Sequence, residues 1–130
     1  MTSNQLGDAN ELARRFVACK GWRWLPGMLA QSEGQGVARV FHVATDGWIS
    51  LCGGQPFESP FHTKTLPFPI LSDAATRGAI LQLVREAWGD PDAGLFMFGQ
   101  KWDVILPNKC KDIFGATEIE ALLAALEAAP

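Results

Sequence analysis

The sequence of 130 residues has no tyrosine, only two histidines and only three cysteines, and acidic residues outnumber basic ones by 14 to 11. The formal net charge of −3 argues against broad, non-specific nucleic-acid binding, which requires a basic surface. The charge is also too small for a protein that imitates DNA with a dense array of carboxylates. We therefore expect no stable binding of nucleic acid.

Long hydrophobic runs are also missing from the sequence. No apolar stretch approaches the ~20 residues of a transmembrane helix, and Met1–Asn10 lacks the apolar segment of a signal peptide. Cys19, Cys52 and Cys110 are odd in number and widely spaced, which is typical of reduced thiols in a cytosol. These features predict a soluble, intracellular protein with no membrane partner.

Motifs for enzymatic chemistry are absent as well. The sequence has no nucleophile elbow, phosphate-binding loop, dinucleotide fingerprint, zinc signature or C-x-x-C pair. His42 and His62 are too far apart in the chain for a local metal pair. Carboxylates such as Asp46, Glu58 and Asp103 show no spacing that favours a hydrolase. We therefore expect a protein that is not an enzyme and that has no cofactor and no metal.

A chain of this length is expected to form a single domain over residues 1–130. Sequence signals predict its first two helices. Asp8 and Glu11 have capping-box spacing, so we expect the first helix to begin at Asp8, to end at Gly21 and to leave residues 1–7 flexible. Apolar spacing predicts a second helix over residues 73–88, capped by Ser72 or Asp73.

The third helix has the clearest start in the chain. Thr117 and Glu120 form a capping box, and an apolar stripe follows it. We expect the leucines of this stripe to be buried: Leu122, Leu123 and Leu126.

Two β-hairpins are predicted between the helices. Residues 37–44 and 48–52 flank Asp46-Gly47, a strong hairpin signal, and the first of these strands is expected to be central or covered on both faces. Residues 95–98 and 102–106 flank Gly99-Gln100. The order of helix, hairpin, helix, hairpin and helix predicts an α+β fold, in which about three helices pack on a mostly antiparallel sheet built from hairpins.

Residues 53–72 differ from the rest because prolines alternate with phenylalanines: Pro56, Phe57, Pro60, Phe61, Pro67, Phe68 and Pro69. Proline removes ladder donors, so we interpret this segment as a long ordered loop with an edge strand near His62–Leu66. One alternative is a functional loop. The other is a strap whose phenylalanines fill the core.

Positive charge is concentrated beside two tryptophans, Trp22 and Trp24. Four of the 11 basic residues lie within ten positions there: Arg14, Arg15, Lys20 and Arg23. A ring can stack on a base, which contributes roughly 1–3 kcal/mol per base, and a cation can bind a phosphate. The alternative is structural, with the arginines on the solvent face of a helix and the tryptophans in the core.

Three segments, LARRFVACKGWRWLPGM, LVREAWGDP and GATEIEALLAALEA, resemble a group of uncharacterised small proteins encoded by phages and prophages. In addition, Lys20-Gly21-Trp22 followed by Gly27-Met28 is similar to the start of the anti-Thoeris sponge family, which binds cyclic ADP-ribose-type signals. These resemblances imply a phage gene product that acts in the cytoplasm of the host bacterium.

The leading functional hypothesis is a non-enzymatic phage binding protein that antagonises host anti-phage defence by sequestering a small, cyclic nucleotide signal. Trp22, Trp24 and Trp48 would stack on bases, and Lys20 and Arg23 would contact phosphates. The alternative is a protein–protein inhibitor of a host defence complex, similar in action to an anti-CRISPR, with the loop over residues 56–69 as its contact surface. A small phage enzyme is the third hypothesis. A homo-oligomer is compatible with each of these.

Overall fold

The computed structural model describes residues 3–32, 36–52, 61–64, 66 and 68–130. The helices are α1 (Ser3–Ala18), α2 (Ala74–Trp88) and α3 (Glu118–Glu127). The strands are β1 (Leu29–Ser32), β2 (Gly36–Val43), β3 (Ile49–Cys52), β4 (Phe61–Thr63), β5 (Phe68–Pro69), β6 (Gly94–Phe98), β7 (Lys101–Leu106) and β8 (Lys111–Gly115). All strand pairs among the described residues are antiparallel, which confirms the α+β class.

The chain divides into two compact units, one of Met1–Trp22 with Ile80–Pro130 and one of Arg23–Ala79. The strands correspondingly form two sheets. Five strands in the order β4-β3-β2-β1-β5 belong to the second unit, and three strands in the order β6-β7-β8 belong to the first. None of the helices in the described part of the chain is long and apolar enough to cross a membrane.

In the second unit, the predicted hairpin of β2 and β3 is confirmed. The turn between them places Gly47 at a φ of 94°, which favours glycine. β2 is central, as predicted, but only one of its faces is covered. Ala38 and Val40 are buried, whereas Val37 and Phe41 are exposed, and the pairing shifts between Val40 and His42.

The edges of this sheet correct the prediction of a loop over residues 53–72. β4 lies at one edge, as expected near His62–Leu66, and β5 lies at the other. Pro69 pairs with Ala30 in β5, a position that tolerates proline because an edge strand needs fewer ladder donors. The segment therefore contains two short strands, and residues 53–60, 65 and 67 lie outside the described residues.

The start of α2 is fixed by Asp73, one of the two predicted caps. Asp73 Oδ2 accepts hydrogen bonds from the Thr76 backbone N–H (3.0 Å) and from Thr76 Oγ1 (2.9 Å). Both Asp73 oxygens also accept from the Arg39 guanidinium, at 2.9 and 3.0 Å. Hydrogen bonds from Arg39 and Thr76 hold the pKa of Asp73 well below its usual range. Leu29 N–H donates to Thr76 Oγ1 at 2.9 Å, which ties β1 to the first turn of this helix.

In the first unit, α3 packs on β7 and β8, and its predicted cap is confirmed. Thr117 Oγ1 accepts from the Glu120 N–H at 3.1 Å. The predicted apolar stripe is buried, with Leu122, Leu123 and Leu126 all at most 2% exposed. β8 was not predicted, because it is short and polar at its start and because it follows a 3-10 turn at Pro107–Lys109.

The predicted start of α1 is wrong. The helix begins at Ser3, so residues 3–7 are helical and Asp8 lies inside the helix. A capping box is a local preference worth about 0.5–2 kcal/mol, and the upstream residues contain no proline to stop the helix. α1 also ends at Ala18, before the predicted Gly21.

Candidate functional site

The turn after α1 passes close to two other helices in the first unit. A Cβ atom at Gly21 would lie 3.1 Å from Ala87 Cβ of α2 and 3.3 Å from Leu126 Cδ1 of α3. Both distances are tighter than ordinary van der Waals contact, so glycine permits this approach. The turn thereby places Cys19 and Lys20 beside the ends of α2 and α3.

A cleft of about 450 Å³ lies at this place. Its polar lining consists of Arg15, Cys19, Lys20 and Glu127. Its remaining lining is small and mostly apolar: Ala18, Gly21, Ala87, Leu126, Ala129 and Pro130. Small-molecule sites commonly measure roughly 300–1,000 Å³ and combine an apolar wall with a few polar groups. The cleft therefore has the size and lining of a site for a small molecule.

The two cationic side chains of the cleft differ in whether they have a hydrogen-bond partner. Arg15 donates to Glu127 from Nε (3.1 Å) and from Nη2 (2.6 Å), and this hydrogen bonding raises the pKa of Arg15. Lys20 is exposed, and it has no hydrogen bond or ion pair with any residue in the described ranges. Lys20 is therefore the cation that can meet an anionic ligand without first giving up a partner.

Cys19 contributes a neutral thiol to the cleft. Its Sγ donates to the Arg15 carbonyl oxygen at 3.2 Å. Burial, followed by the nearby charge of Glu127, raises the pKa of the Cys19 thiol. A thiol with a raised pKa is protonated at neutral pH and is a weak nucleophile. The cleft is thus better suited to binding than to covalent chemistry at Cys19.

Among the five predicted site residues, Lys20 alone lines this cleft. Trp22 is half-buried, and its ring centroid lies 6.2 Å from that of Phe16, which has no exposed surface. The ring planes are inclined by 51°, a tilted arrangement that is typical of packed aromatic pairs. Trp22 therefore packs against the core of the first unit.

The other three predicted residues belong to the second unit. Arg23 is exposed and Trp24 is half-buried. Trp48 precedes β3 and is 44% exposed, and Lys64 Nζ lies 5.3 Å from its ring centroid. That distance gives a cation–π pair. Lys64 could not be predicted from the sequence, because it is the pairing of β3 with β4 that brings it near Trp48.

Ser50 and His62 form a further polar pair in the second unit. Ser50 Oγ lies 2.7 Å from His62 Nδ1, in the distance range of a nucleophile and its base. However, β3 lies between β2 and β4, so its backbone N–H groups face those strands and cannot form an oxyanion hole. Within the described residues, no three His, Cys, Asp or Glu side chains are placed to hold a metal ion.

The residues that complete the cleft, Ala87, Leu126 and Glu127, were not predicted from the sequence as site residues. Arg15 and Glu127 are 112 positions apart, and no local pattern links them.

Comparison with protein-family models, curated proteins and solved structures finds no match to this chain.

Proposed function

We propose that this chain is a non-enzymatic phage protein that binds a small anionic signal of the nucleotide class in the cleft beside Lys20, and that it antagonises host defence by sequestering that signal. The observation that carries the proposal is the cleft of about 450 Å³ at whose edge Lys20 has no partner among the described residues. Sequestration is stoichiometric, so it requires no catalytic group.

The charges of the cleft support an anionic ligand. The Lys20 ammonium offers three donors, and Arg15 retains three of its five N–H donors beyond its two bonds to Glu127. A phosphate could accept from both side chains in charge-assisted hydrogen bonds. The small apolar wall would contact the rest of the ligand.

The three predicted tryptophans do not line the cleft. Trp22 follows Gly21 directly in the chain, but its ring packs against Phe16 and not into the cleft. Stacking by Trp22, Trp24 and Trp48, and phosphate contact by Arg23, stay predictions. The alternative function, inhibition of a host defence protein through residues 56–69, also stays a prediction, because half of that segment lies outside the described residues.

A thermal-shift screen tests the proposal. The probes are ADP-ribose, cyclic ADP-ribose and cyclic dinucleotides, with an uncharged nucleoside and inorganic phosphate as controls. A ligand at 100 times its Kd should stabilise the protein by about 2.7 kcal/mol, which is readily measured. We expect a rise in Tm with at least one charged nucleotide and none with the nucleoside. An unchanged Tm with every nucleotide would contradict the proposal.

A further inference from the structure

The groove between α1 and α3 continues past the cleft beside Lys20. A second cavity of about 250 Å³ lies in the same unit, and Arg15 belongs to the lining of both cavities. Leu12 lines the second cavity one turn before Arg15 on α1, and Leu123 lines it one turn before Leu126 on α3. The two cavities are therefore successive stretches of one groove. We call the second one the Leu12 cavity.

The ion pair of Arg15 and Glu127 lies where the two cavities meet. Their side chains are 48 and 37% exposed, so water screens the pair and it contributes little to stability. The pair is thus a weak barrier between the two stretches of the groove. A ligand whose anionic group binds Arg15 and Lys20 can therefore extend from the cleft into the Leu12 cavity.

The Leu12 cavity has mostly apolar walls and two polar side chains, Arg15 at one end and Glu120 at the other. The apolar residues come from α1, β8 and α3: Leu12, Phe114, Gly115, Leu123 and Ala124. Sites that hold a complete ligand commonly measure roughly 300–1,000 Å³, so a cavity of about 250 Å³ suits one ring system of a larger ligand. The cavity is therefore a subsite, with apolar walls for a flat ring.

Glu120 supplies the hydrogen-bond acceptors of this subsite. Thr117 Oγ1 donates to Glu120 Oε1 at 3.3 Å, which is a long bond, and Oε2 has no partner among the described residues. An ionised carboxylate accepts hydrogen bonds and donates none. Along α3, the Cα atoms of Glu120 and Glu127 are two helical turns, about 10.5 Å, apart, and Glu127 holds Arg15. The groove thus separates its acceptor and its cation by the length scale of a nucleotide, from base edge to phosphate.

We propose that the Leu12 cavity binds the base of the ligand and that this base is guanine, held by Glu120 while Arg15 and Lys20 bind the phosphate. Guanine has two N–H donors side by side, at N1 and at its 2-amino group, and both can donate to one carboxylate in charge-assisted hydrogen bonds. Adenine has an acceptor, N1, beside its amino group, and this acceptor would face the negative carboxylate. The inference rests on the proposed function and narrows its ligand to a guanine nucleotide.

Calorimetric titration of the intact protein with guanosine, inosine and adenosine diphosphates tests the inference. The three probes carry the same phosphates, and the inosine nucleotide differs from the guanosine nucleotide only in lacking the 2-amino group. We expect guanosine diphosphate to bind about tenfold more tightly than inosine diphosphate, and adenosine diphosphate to bind most weakly. Equal affinities for the guanosine and adenosine nucleotides would overturn the inference.

Two carboxylate variants locate the base. Glu120→Gln keeps an acceptor for Thr117 but removes the charge and one of the two acceptors, so it should lower the affinity for guanosine diphosphate about tenfold and leave that for adenosine diphosphate unchanged. The matched control is Glu11→Gln, which removes an exposed carboxylate one turn before Arg15 and lines neither cavity. It should retain the preference for guanine. A preference that persists in a folded Glu120→Gln protein would refute the subsite.

Lys20→Ala separates this inference from the proposed function. It should weaken all three diphosphates by a similar factor and leave their ratios unchanged, because Lys20 contacts the phosphate and not the base. If the diphosphates bind through Lys20 without a preference for guanine, the inference is wrong and the proposed function stands. If none of them binds, the inference is wrong, and the nucleotide screen decides the proposed function separately.

Discussion

The two faces of the three-stranded sheet differ in what covers them. On the inner face, Val104 and Leu106 are fully buried, and α3 packs over β7 and β8. On the outer face, which is turned away from α3, three phenylalanines around the buried Asp103 are more than half exposed: Phe96, Phe98 and Phe114. Burial of apolar surface contributes roughly 25 cal/mol per Å², so the inner face stabilises the fold and the outer face forgoes that contribution. Contiguous exposed apolar side chains on a folded protein commonly mark a binding surface.

The strongest test of this comparison is a core substitution under the inner face. Leu123 of α3 is 2% exposed, so Leu123→Ala should reduce the free energy of unfolding by about 2–5 kcal/mol, measured by urea denaturation. The matched substitution on the outer face, Phe98→Ala, should cost less than about 1 kcal/mol. Equal losses would mean that the two faces contribute alike to stability.

A pair of glycines gives a second, smaller contrast. A Cβ on Gly115 would collide with the backbone of Ala121 in α3, with the Ala121 Cα only 2.7 Å away. Backbone cannot rotate aside, so Gly115→Ala should cost about 1–3 kcal/mol. Gly94→Ala would meet the Phe96 ring, which can turn toward solvent, so we expect less than about 1 kcal/mol. A larger loss from Gly94→Ala than from Gly115→Ala would reverse this account of the faces.

The smallest expected effect is a gain in stability and not a loss, and it depends on pH. Burial, followed by the charge of Asp112, raises the pKa of Asp103, although a hydrogen bond from the Ile113 backbone opposes the shift. The folded state therefore favours the protonated form of Asp103 more than the unfolded state does. Below pH ~3.9 Asp103 is protonated in both the folded and the unfolded state, so its ionisation does not affect stability. As pH rises above that value, the unfolded chain ionises first and the folded state loses stability.

Asp103→Asn removes this ionisation, so we expect a small rise in Tm at pH 7 that disappears near pH 3. Thermal melts of both proteins across this range provide the measurement, with Glu11→Gln as the control. A larger gain at pH 3 than at pH 7 would show that the sign of the pKa shift is wrong.

Local signals in the sequence predicted the parts of the fold that depend on neighbouring residues. Thr117 and Asp73 cap helices through bonds to residues three positions ahead, and the spacing is visible in the sequence. Gly47 marks a hairpin for the same reason. β5 and β8 were missed, because each is short and exists through pairing with a strand that is distant or separated by an irregular turn.

The residues of the candidate sites also divide into those that neighbouring residues predict and those that depend on distant parts of the chain. Lys20 was found because charge density is a property of adjacent residues, whereas Glu127 joins the cleft from the far end of the chain. The outer face of the three-stranded sheet could be predicted only in part, because Phe96 lies opposite Asp103 in the predicted hairpin, whereas Phe114 becomes a neighbour of Asp103 only when β8 pairs with β7. Asp103 appeared in the sequence as one scattered carboxylate among several.

Calorimetric titration of Lys20→Ala with the best ligand from the nucleotide screen tests the proposed cleft most directly. The control is Lys109→Ala, which removes the same charge from an exposed turn in the same unit. Both variants should keep the wild-type Tm. Lys20→Ala should lose about tenfold or more in affinity, and the loss should shrink as salt rises, while Lys109→Ala binds as the wild type does. Unchanged affinity in a folded Lys20→Ala protein would contradict the account.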